Sequence, residues 1–300
     1  WQVSDRELEK LLDPSIKALF MVNPTNPTSV ALSDETIKKI AEIVKKHRKD
    51  LVIITDTVYS TFVETFHSLE KEIPENVICV YSFSKYFGVT GWRLGVIMLH
   101  ENCVVDKLIK DLKEEDKAEI DKRYITITTE PRKIKFIDRL SIDSRDSALA
   151  HTGGLSCPQQ VLMTLFCIFD LMDKEKKYKR DVHSILKKRI HNLYENLELP
   201  EPEEKGNTYY YTLIDIAEVA KIKYGEDFKN YLLKKVDILE FLFKLAKEKF
   251  IVCLPGEGFA GPLWSLRVSL ANLDVEDYII IGKSLKNLLK EFYEEYKKKA

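Results

Sequence analysis

Leu51-Val52-Ile53-Ile54-Thr55 is a short, β-branched run, and what lies on either side of it decides the fold. Its near-complete apolarity predicts a strand covered on both faces. Just upstream, Ser33-Asp34-Glu35 makes an N-cap with acidic first-turn residues. Ile37, Ile40, Ala41 and Val44 then fall on one helical face before Lys45 to Lys49 close the last turn. A helix is expected over about 33–48. Ahead of it, Ala18 to Val22 is a second apolar run. Strand, helix and strand in so short a stretch make a βαβ unit, whose right-handed crossover implies a parallel sheet. Two more apolar runs follow, Val77 to Tyr81 and Leu94 to Leu99.

Working outward, residues 103–150 are dense in charge and predict surface helices and loops. Ser156 followed by Pro158 starts a helix, and the apolar window Val161 to Met172 reads as buried. The helical pattern runs on to about Leu197, as one helix or two in tandem. Beyond Pro200 and Pro202, Tyr209 to Ile216, Phe250 to Leu254 and Leu263 to Leu270 read as strands. Asp237 to Lys249 and Asp274 to Lys298 read as helices. This second α/β layer has its own core, so the expected domains are residues 1–175 and 176–300.

The 300 residues balance 47 Lys and Arg against 48 Asp and Glu, which removes any broad electrostatic reason to bind nucleic acid or an acidic membrane. The window Val161 to Met172 is far shorter than the roughly 20 residues a bilayer requires. Cys79, Cys103, Cys157, Cys167 and Cys253 form no C-x-x-C pair, and the histidines have no zinc spacing. No metal is expected; reduced, buried thiols in the cytoplasm are. The first residue is Trp1, and no signal layout follows, so the chain is expected to begin mid-protein.

Ligands of parallel sheets bind at the carboxyl ends of the strands. Asp56 ends one run, and Tyr59 follows three residues later. Asn26 lies after another, in Asn23-Pro24-Thr25-Asn26-Pro27-Thr28. A third run ends in Ser82-Phe83-Ser84-Lys85, with Arg93 eight residues further on in Gly91-Trp92-Arg93-Leu94-Gly95. Singly these are a cap, a turn and solvated charges. Arg267, in Leu266-Arg267-Val268-Ser269, puts a guanidinium in an otherwise apolar strand and reads by itself as a charge alternating out of a sheet face.

Together, Asn-Pro-Thr, Asp-x-x-Tyr and Ser-x-x-Lys with its following Arg resemble the pyridoxal-phosphate enzymes of fold type I, the aspartate aminotransferase family. The stretches Ser84 to Gly95, His151 to Gln160 and Gly256 to Leu273 resemble its aspartate 4-decarboxylase branch, and the likeness covers essentially the whole chain. Ser29 stands where the family usually has Gly after Asn-Pro-Thr. The implied architecture is α/β: a three-layer fold type I large domain, incomplete here and with a mostly parallel sheet, plus a small C-terminal α/β domain. The family's phosphate-cradling turn, ring-stacking aromatic and side-chain-reading residues would all lie upstream of Trp1.

The resemblance implies pyridoxal 5'-phosphate as cofactor and gives each residue a role. Lys85 is the amine that binds the cofactor aldehyde, which requires a lysine that is neutral part of the time. Asp56 faces the pyridine nitrogen. Tyr59 and Asn26 donate to the ring oxygen, while Ser82 and Arg93 suit the phosphate, with Ser84 as a second contact or a packed hydroxyl. Arg267 matches the arginine that grips the substrate α-carboxylate. The implied reaction converts L-aspartate to L-alanine and CO2, with aspartate transamination beside it. The alternatives are a plain aminotransferase and a catalytically incomplete fragment or assembly subunit. The implied partners are an amino-acid substrate and further copies in a homodimer or larger homo-oligomer. The loop His151 to Ser156 either reaches a partner's site or caps a helix.

Overall fold

The chain, in a computed structural model that describes residues 2–146 and 155–299, divides into two units. One comprises Trp1–Asn23, Leu32–Thr61 and Thr65–Lys174; the other comprises Pro24–Ala31, Phe62–Glu64 and Glu175–Ala300.

In the first unit, helix α1 (Asp5–Glu9) precedes strand β1 (Ala18–Val22), helix α2 (Asp34–His47), strand β2 (Val52–Asp56) and the one-turn helix α3 (Leu69–Glu72). Strands β3 (Val77–Ser82) and β4 (Gly95–Leu99) follow, then helices α4 (Val104–Lys110), α5 (Glu114–Tyr124), α6 (Phe136–Ser144) and α7 (Cys157–Met172). Ser33 Oγ accepts the Thr36 N–H at 3.1 Å and starts α2, whose Ile37, Ile40, Ala41 and Val44 are buried as their spacing predicts. After His47 the chain leaves the helix, and Arg48 turns inward with only 4% exposure. Its guanidinium donates to the carbonyls of Leu11, Asp13 and Ile16 at 2.7, 2.6 and 2.5 Å and pairs with Asp50 at 2.9 Å.

The sheet order is β1-β2-β3-β4. The first three strands run parallel, and β4 returns antiparallel to β3. Side chains alternate across the pleat, and the register puts Leu19, Ile53, Val77 and Cys79 on one face and Phe20, Ile54, Asp56, Val80 and Ile97 on the other. The first face joins α2 and α3 in a core containing Ile37, Ile40, Leu51, Ile53 and Leu69. On the second, Phe20 is 67% and Ile97 48% exposed, and Val52, Ile54 and Asp56 are half-buried. The strand expected to be covered on both faces is therefore buried on one. Apolarity sets what a face can bury, and covering it takes a second layer of structure.

The same correction applies to α7. Expected to be buried, it has no buried residue, and Val161, Leu165, Ile168, Phe169 and Met172 are exposed. Phe166 stacks on Phe87 at 4.9 Å. Cys157 and Cys167 ride on this helix and are exposed with it, against the expectation of buried thiols; Cys79 and Cys103 are buried, and all five are free.

In the second unit, helix α8 (Lys177–Leu197) is separate from α7 and leads to strand β5 (Tyr211–Asp215), helices α9 (Ile216–Tyr224), α10 (Glu226–Lys235) and α11 (Ile238–Lys249), strands β6 (Leu254–Pro255) and β7 (Ser265–Ser269) and helix α12 (Asp277–Lys299). The sheet is antiparallel, ordered β5-β7-β6. Helices α8 and α12 cross closely at Gly282, where a Cβ would lie 2.7 Å from the Leu193 carbonyl oxygen. The strand expected over Phe250 to Leu254 shrinks to Leu254–Pro255, because Phe250 takes a left-handed conformation, φ 57°, to cap α11.

The segment Pro24–Ala31 is tied to the approach to β5. Ala31 N–H donates to Gly206 O at 3.0 Å, Thr208 N–H to Ser29 O at 2.8 Å, and Tyr211 N–H to Ser29 Oγ at 2.8 Å. Ser29 is 1% exposed with φ 62°. That left-handed backbone is the physical reason a glycine suits this position, and here a side-chain hydrogen bond offsets the strain.

Candidate active site

Each unit carries one cluster of the predicted residues. In the first, Asp56 is the last residue of β2 and Ser82 the last of β3, so both lie at the carboxyl edge of the parallel strands and on the same open face. Asp56 is held by its own turn: its carbonyl accepts the Asn23 N–H at 2.9 Å and its Oδ1 the Val58 N–H at 3.0 Å. Tyr59, one residue beyond Val58, is 4% exposed.

Lys85 sits on the loop between β3 and β4, half-buried. The loop is anchored on both sides of it. Phe83 and Phe87 stack at 5.6 Å, and Phe166 of α7 covers both rings. Ser84, 5% exposed, donates its N–H to Ser82 Oγ at 3.2 Å, with the two hydroxyl oxygens 2.9 Å apart, and its carbonyl accepts Thr90 Oγ1–H at 3.1 Å. Ser84 thus has the packed, hydrogen-bonded hydroxyl that was one of its two expectations. Arg93 ends the loop in a left-handed conformation, φ 54°, exposed, with Nη1 donating to the Thr90 carbonyl at 3.0 Å. Gln159 Nε2 donates to the Trp92 carbonyl at 3.2 Å, so α7 also steadies this turn.

In the second unit, Arg267 is the middle residue of the central strand, opposite Leu213 of β5 and Leu254 of β6. Its Nη1 donates to Asn26 Oδ1 at 3.2 Å. The structure therefore joins two predicted residues 241 positions apart. Its guanidinium carbon lies 4.5 Å from the Tyr211 ring centroid and 4.3 Å from that of Phe259. Neither aromatic was singled out by the sequence reading. Phe259 lies inside the Gly256-to-Leu273 stretch that carries the family resemblance, whereas Tyr211 is one of three consecutive tyrosines and gives no signal of its own.

Several charged clusters are internally paired, as with Arg132 and Asp121 or Glu198 with Lys223 and Lys286. Among the described residues, Asp56, Arg93 and Arg267 have no ion-pair partner. The loop His151 to Ser156 lies outside the described residues through Gly154; at its end, Ser156 N–H donates to Gln159 Oε1 at 3.1 Å. A cavity of about 420 Å3 lined by Thr57, Glu70, Cys79 and His100 opens on the opposite face of the sheet and includes none of the predicted site residues. Burial pushes its Cys79 thiol up to about 11, which leaves it unreactive.

The family model for aminotransferase class I and II matches residues 1–281. The chain belongs to this family. It is 46% identical over 297 residues to a bifunctional aspartate aminotransferase and L-aspartate beta-decarboxylase from a Pseudomonas species, covering 99% of this chain and 56% of that protein. An aspartate aminotransferase from Sulfurisphaera tokodaii is 28% identical over 261 residues, covering 84% of this chain and 51% of that protein. The chain thus spans about half the length of the curated relatives it matches. Among solved structures, a PLP-dependent aminotransferase from Streptococcus suis matches with TM-score 0.64 at 19% identity, covering 97% of this chain and 64% of that one. An alanine aminotransferase from Pyrococcus furiosus gives TM-score 0.64 at 20% identity, covering 97% and 62%. The fold is that of the fold type I aminotransferases, with a mixed, mostly parallel sheet in the first unit. No helix among the described residues is long and apolar enough to cross a membrane.

Proposed function

We propose that this aminotransferase-family chain carries the cofactor lysine and the carboxylate arginine of a pyridoxal-phosphate enzyme that acts on L-aspartate. It transaminates that substrate and releases its β-carboxylate as CO2 to leave L-alanine. One observation carries the reading: among the described residues Asp56, Arg93 and Arg267 have no ion-pair partner, and Asp56 stands at the carboxyl edge of the parallel strands. Their signs complement a protonated pyridine, a phosphate and a substrate carboxylate. The 46% identity to a bifunctional aspartate aminotransferase and beta-decarboxylase supports aspartate as substrate and both reactions as products of one site.

The donor set fits the cofactor by its chemistry: an amine for the aldehyde at Lys85, a carboxylate for the ring nitrogen at Asp56, and a guanidinium with a neighbouring hydroxyl for the phosphate at Arg93 and Ser82. Bound there, pyridoxal phosphate supplies an electrophilic carbon for the substrate amine and a ring that accepts the electrons released when a bond at the substrate breaks. The chain's own residues do the remainder. Asp56, fixed by the Val58 N–H, holds the proton on the ring nitrogen. Tyr59 and the Nδ2 of Asn26 donate to the ring oxygen; Asn26 is free to do so because Arg267 uses its Oδ1. Lys85 Nζ takes the substrate Cα proton and later returns one. Arg267 holds the α-carboxylate through its remaining N–H groups.

In this reading residues 1–175 form the cofactor-binding part and 176–300 the carboxylate-binding part of a cytoplasmic homodimer or larger homo-oligomer. The exposed apolar face of α7 supports an assembled form.

The 28% identity to an aspartate aminotransferase favours transamination alone as the second reading. Incubation with L-aspartate, pyridoxal phosphate and excess 2-oxo acid separates the two. CO2 with alanine supports the decarboxylase; oxaloacetate and the new amino acid without CO2 would leave the aminotransferase. If borohydride reduction after cofactor addition labels no peptide containing Lys85, or labels the Lys85→Ala variant equally, the cofactor assignment fails.

A further inference from the structure

Arg267 is a half-buried arginine in the central strand of its sheet. Among the described residues it has no carboxylate partner, and its hydrogen-bond partner is Asn26, through Nη1 alone. The guanidinium is instead placed by aromatic rings that come from opposite sides of its strand. β5 and β6 flank β7. Tyr211 lies on β5, two residues from Leu213, the residue paired with Arg267, so ring and guanidinium project from the same face. Phe259 comes from the turn that follows β6.

That turn is built to fix the second ring. At Gly256 a Cβ would lie 2.0 Å from Ser265 Oγ, and at Gly261 one would lie 2.9 Å from the Gly256 carbonyl oxygen, so neither position has room for a side chain. Gly261 N–H closes the turn on the Gly256 carbonyl at 2.9 Å, and Ser265 Oγ–H donates to Pro262 O at 2.6 Å. The turn is locked to the strand that carries Arg267, and Phe259 is carried with it.

The geometry points to Tyr211 and Phe259 as positioning residues that hold the Arg267 guanidinium in a slot and make the site selective for planar carboxylates over tetrahedral oxyanions. This rests on the assignment of Arg267 to the substrate carboxylate and adds what decides its specificity. With a ring over the guanidinium on each side, Nε and Nη2 are approached in the plane of the fork. A carboxylate is flat and meets that edge with two parallel hydrogen bonds. A phosphonate carries a third oxygen out of the plane, which meets a ring face where it can neither be hydrogen-bonded nor hydrated.

The test uses two single-anion probes, L-alanine and the analogue in which phosphonate replaces its carboxylate, titrated into the purified chain by calorimetry at pH 8. The wild type is expected to bind the carboxylate at least about tenfold more tightly. Phe259→Leu should bring the ratio within about threefold with an unchanged melting temperature, and Phe259→Tyr should restore it. The ratio is informative because a general loss of structure would weaken both probes alike. A Phe259→Leu ratio equal to the wild type's, or a wild type that does not discriminate, overturns the slot. If Arg267→Leu abolishes binding while Phe259→Leu keeps the ratio, the slot falls and the carboxylate assignment stands. If Arg267→Leu changes nothing, or the wild type binds neither probe, both fall.

Discussion

Ser29 offers a sharp test of how the strap Pro24–Ala31 is held. It combines a left-handed backbone, φ 62°, with a buried side chain that accepts the Tyr211 N–H at 2.8 Å. The two features act in opposite directions. A residue with a Cβ in this conformation is destabilised by about 1–2 kcal/mol relative to glycine. Losing the acceptor leaves a buried N–H unsatisfied, which costs about 1–3 kcal/mol. Ser29→Ala keeps the strain and loses the bond, so a loss of about 2 kcal/mol is expected. Ser29→Gly loses the bond but relieves the strain, so it should be about 1 kcal/mol more stable than the alanine variant. The expected order is serine, then glycine, then alanine. Urea denaturation at constant slope measures it, and each kcal/mol should move a thermal midpoint by about 2–4 °C in a unit of this size. Alanine as stable as serine would show that the Oγ contributes nothing; alanine more stable than glycine would show that the backbone is not left-handed in solution.

Other consequences are equally direct. Arg48→Met strips partners from three backbone carbonyls and from Asp50, and should destabilise the first unit by about 3–5 kcal/mol, read as a fall in its denaturation midpoint. Gly282→Ala gains about 1 kcal/mol of helix propensity but drives a methyl group into the Leu193 carbonyl; a net loss is expected on thermal unfolding, with α8 and α12 pushed apart. Lys223 and Lys286 hold Glu198 at about 2, below the usual carboxylate range. Because the folded value is depressed, its contribution is present above about 4.5 and is lost as the pH falls through about 2. Glu198→Gln should therefore lower the melting temperature at neutral pH and match the wild type near pH 2.

The legible parts of the fold are those whose signal is local. Ser33 with Ile37, Ile40, Ala41 and Val44 states a cap and a buried stripe in consecutive residues, and α2 forms where they say. Helices α9 and α10 were missed because α9 follows β5 without a break. Asp215 ends the strand and caps the helix in one residue, accepting the Glu218 N–H at 3.0 Å, and Gly225 then separates the two helices. The run Phe250 to Leu254 has the composition of a strand, yet Phe250 is taken by the α11 cap. In α7, Leu165 and Ile168 carry the apolarity of a core helix and stand exposed, since a sequence window records hydrophobicity and carries no record of what lies opposite.

The site divides in the same way. Asp56, Ser82 and Lys85 could be placed at or just beyond strand ends from sequence because a strand end is a position along the chain, and the carboxyl edge of a parallel sheet is where strand ends gather. The partnership of Asn26 with Arg267 could not be found that way, nor could the rings of Tyr211 and Phe259 around that guanidinium. These groups belong to a strap, two neighbouring strands and a glycine turn, and they meet only when the antiparallel sheet sets its register. Sequence by itself determined α2, the parallel strands on either side of it, the family and the chemistry available. Tertiary structure decided which charges would be left without a counter-ion and which surfaces would hold them in place, because pairing and stacking depend on distances that only long-range packing creates.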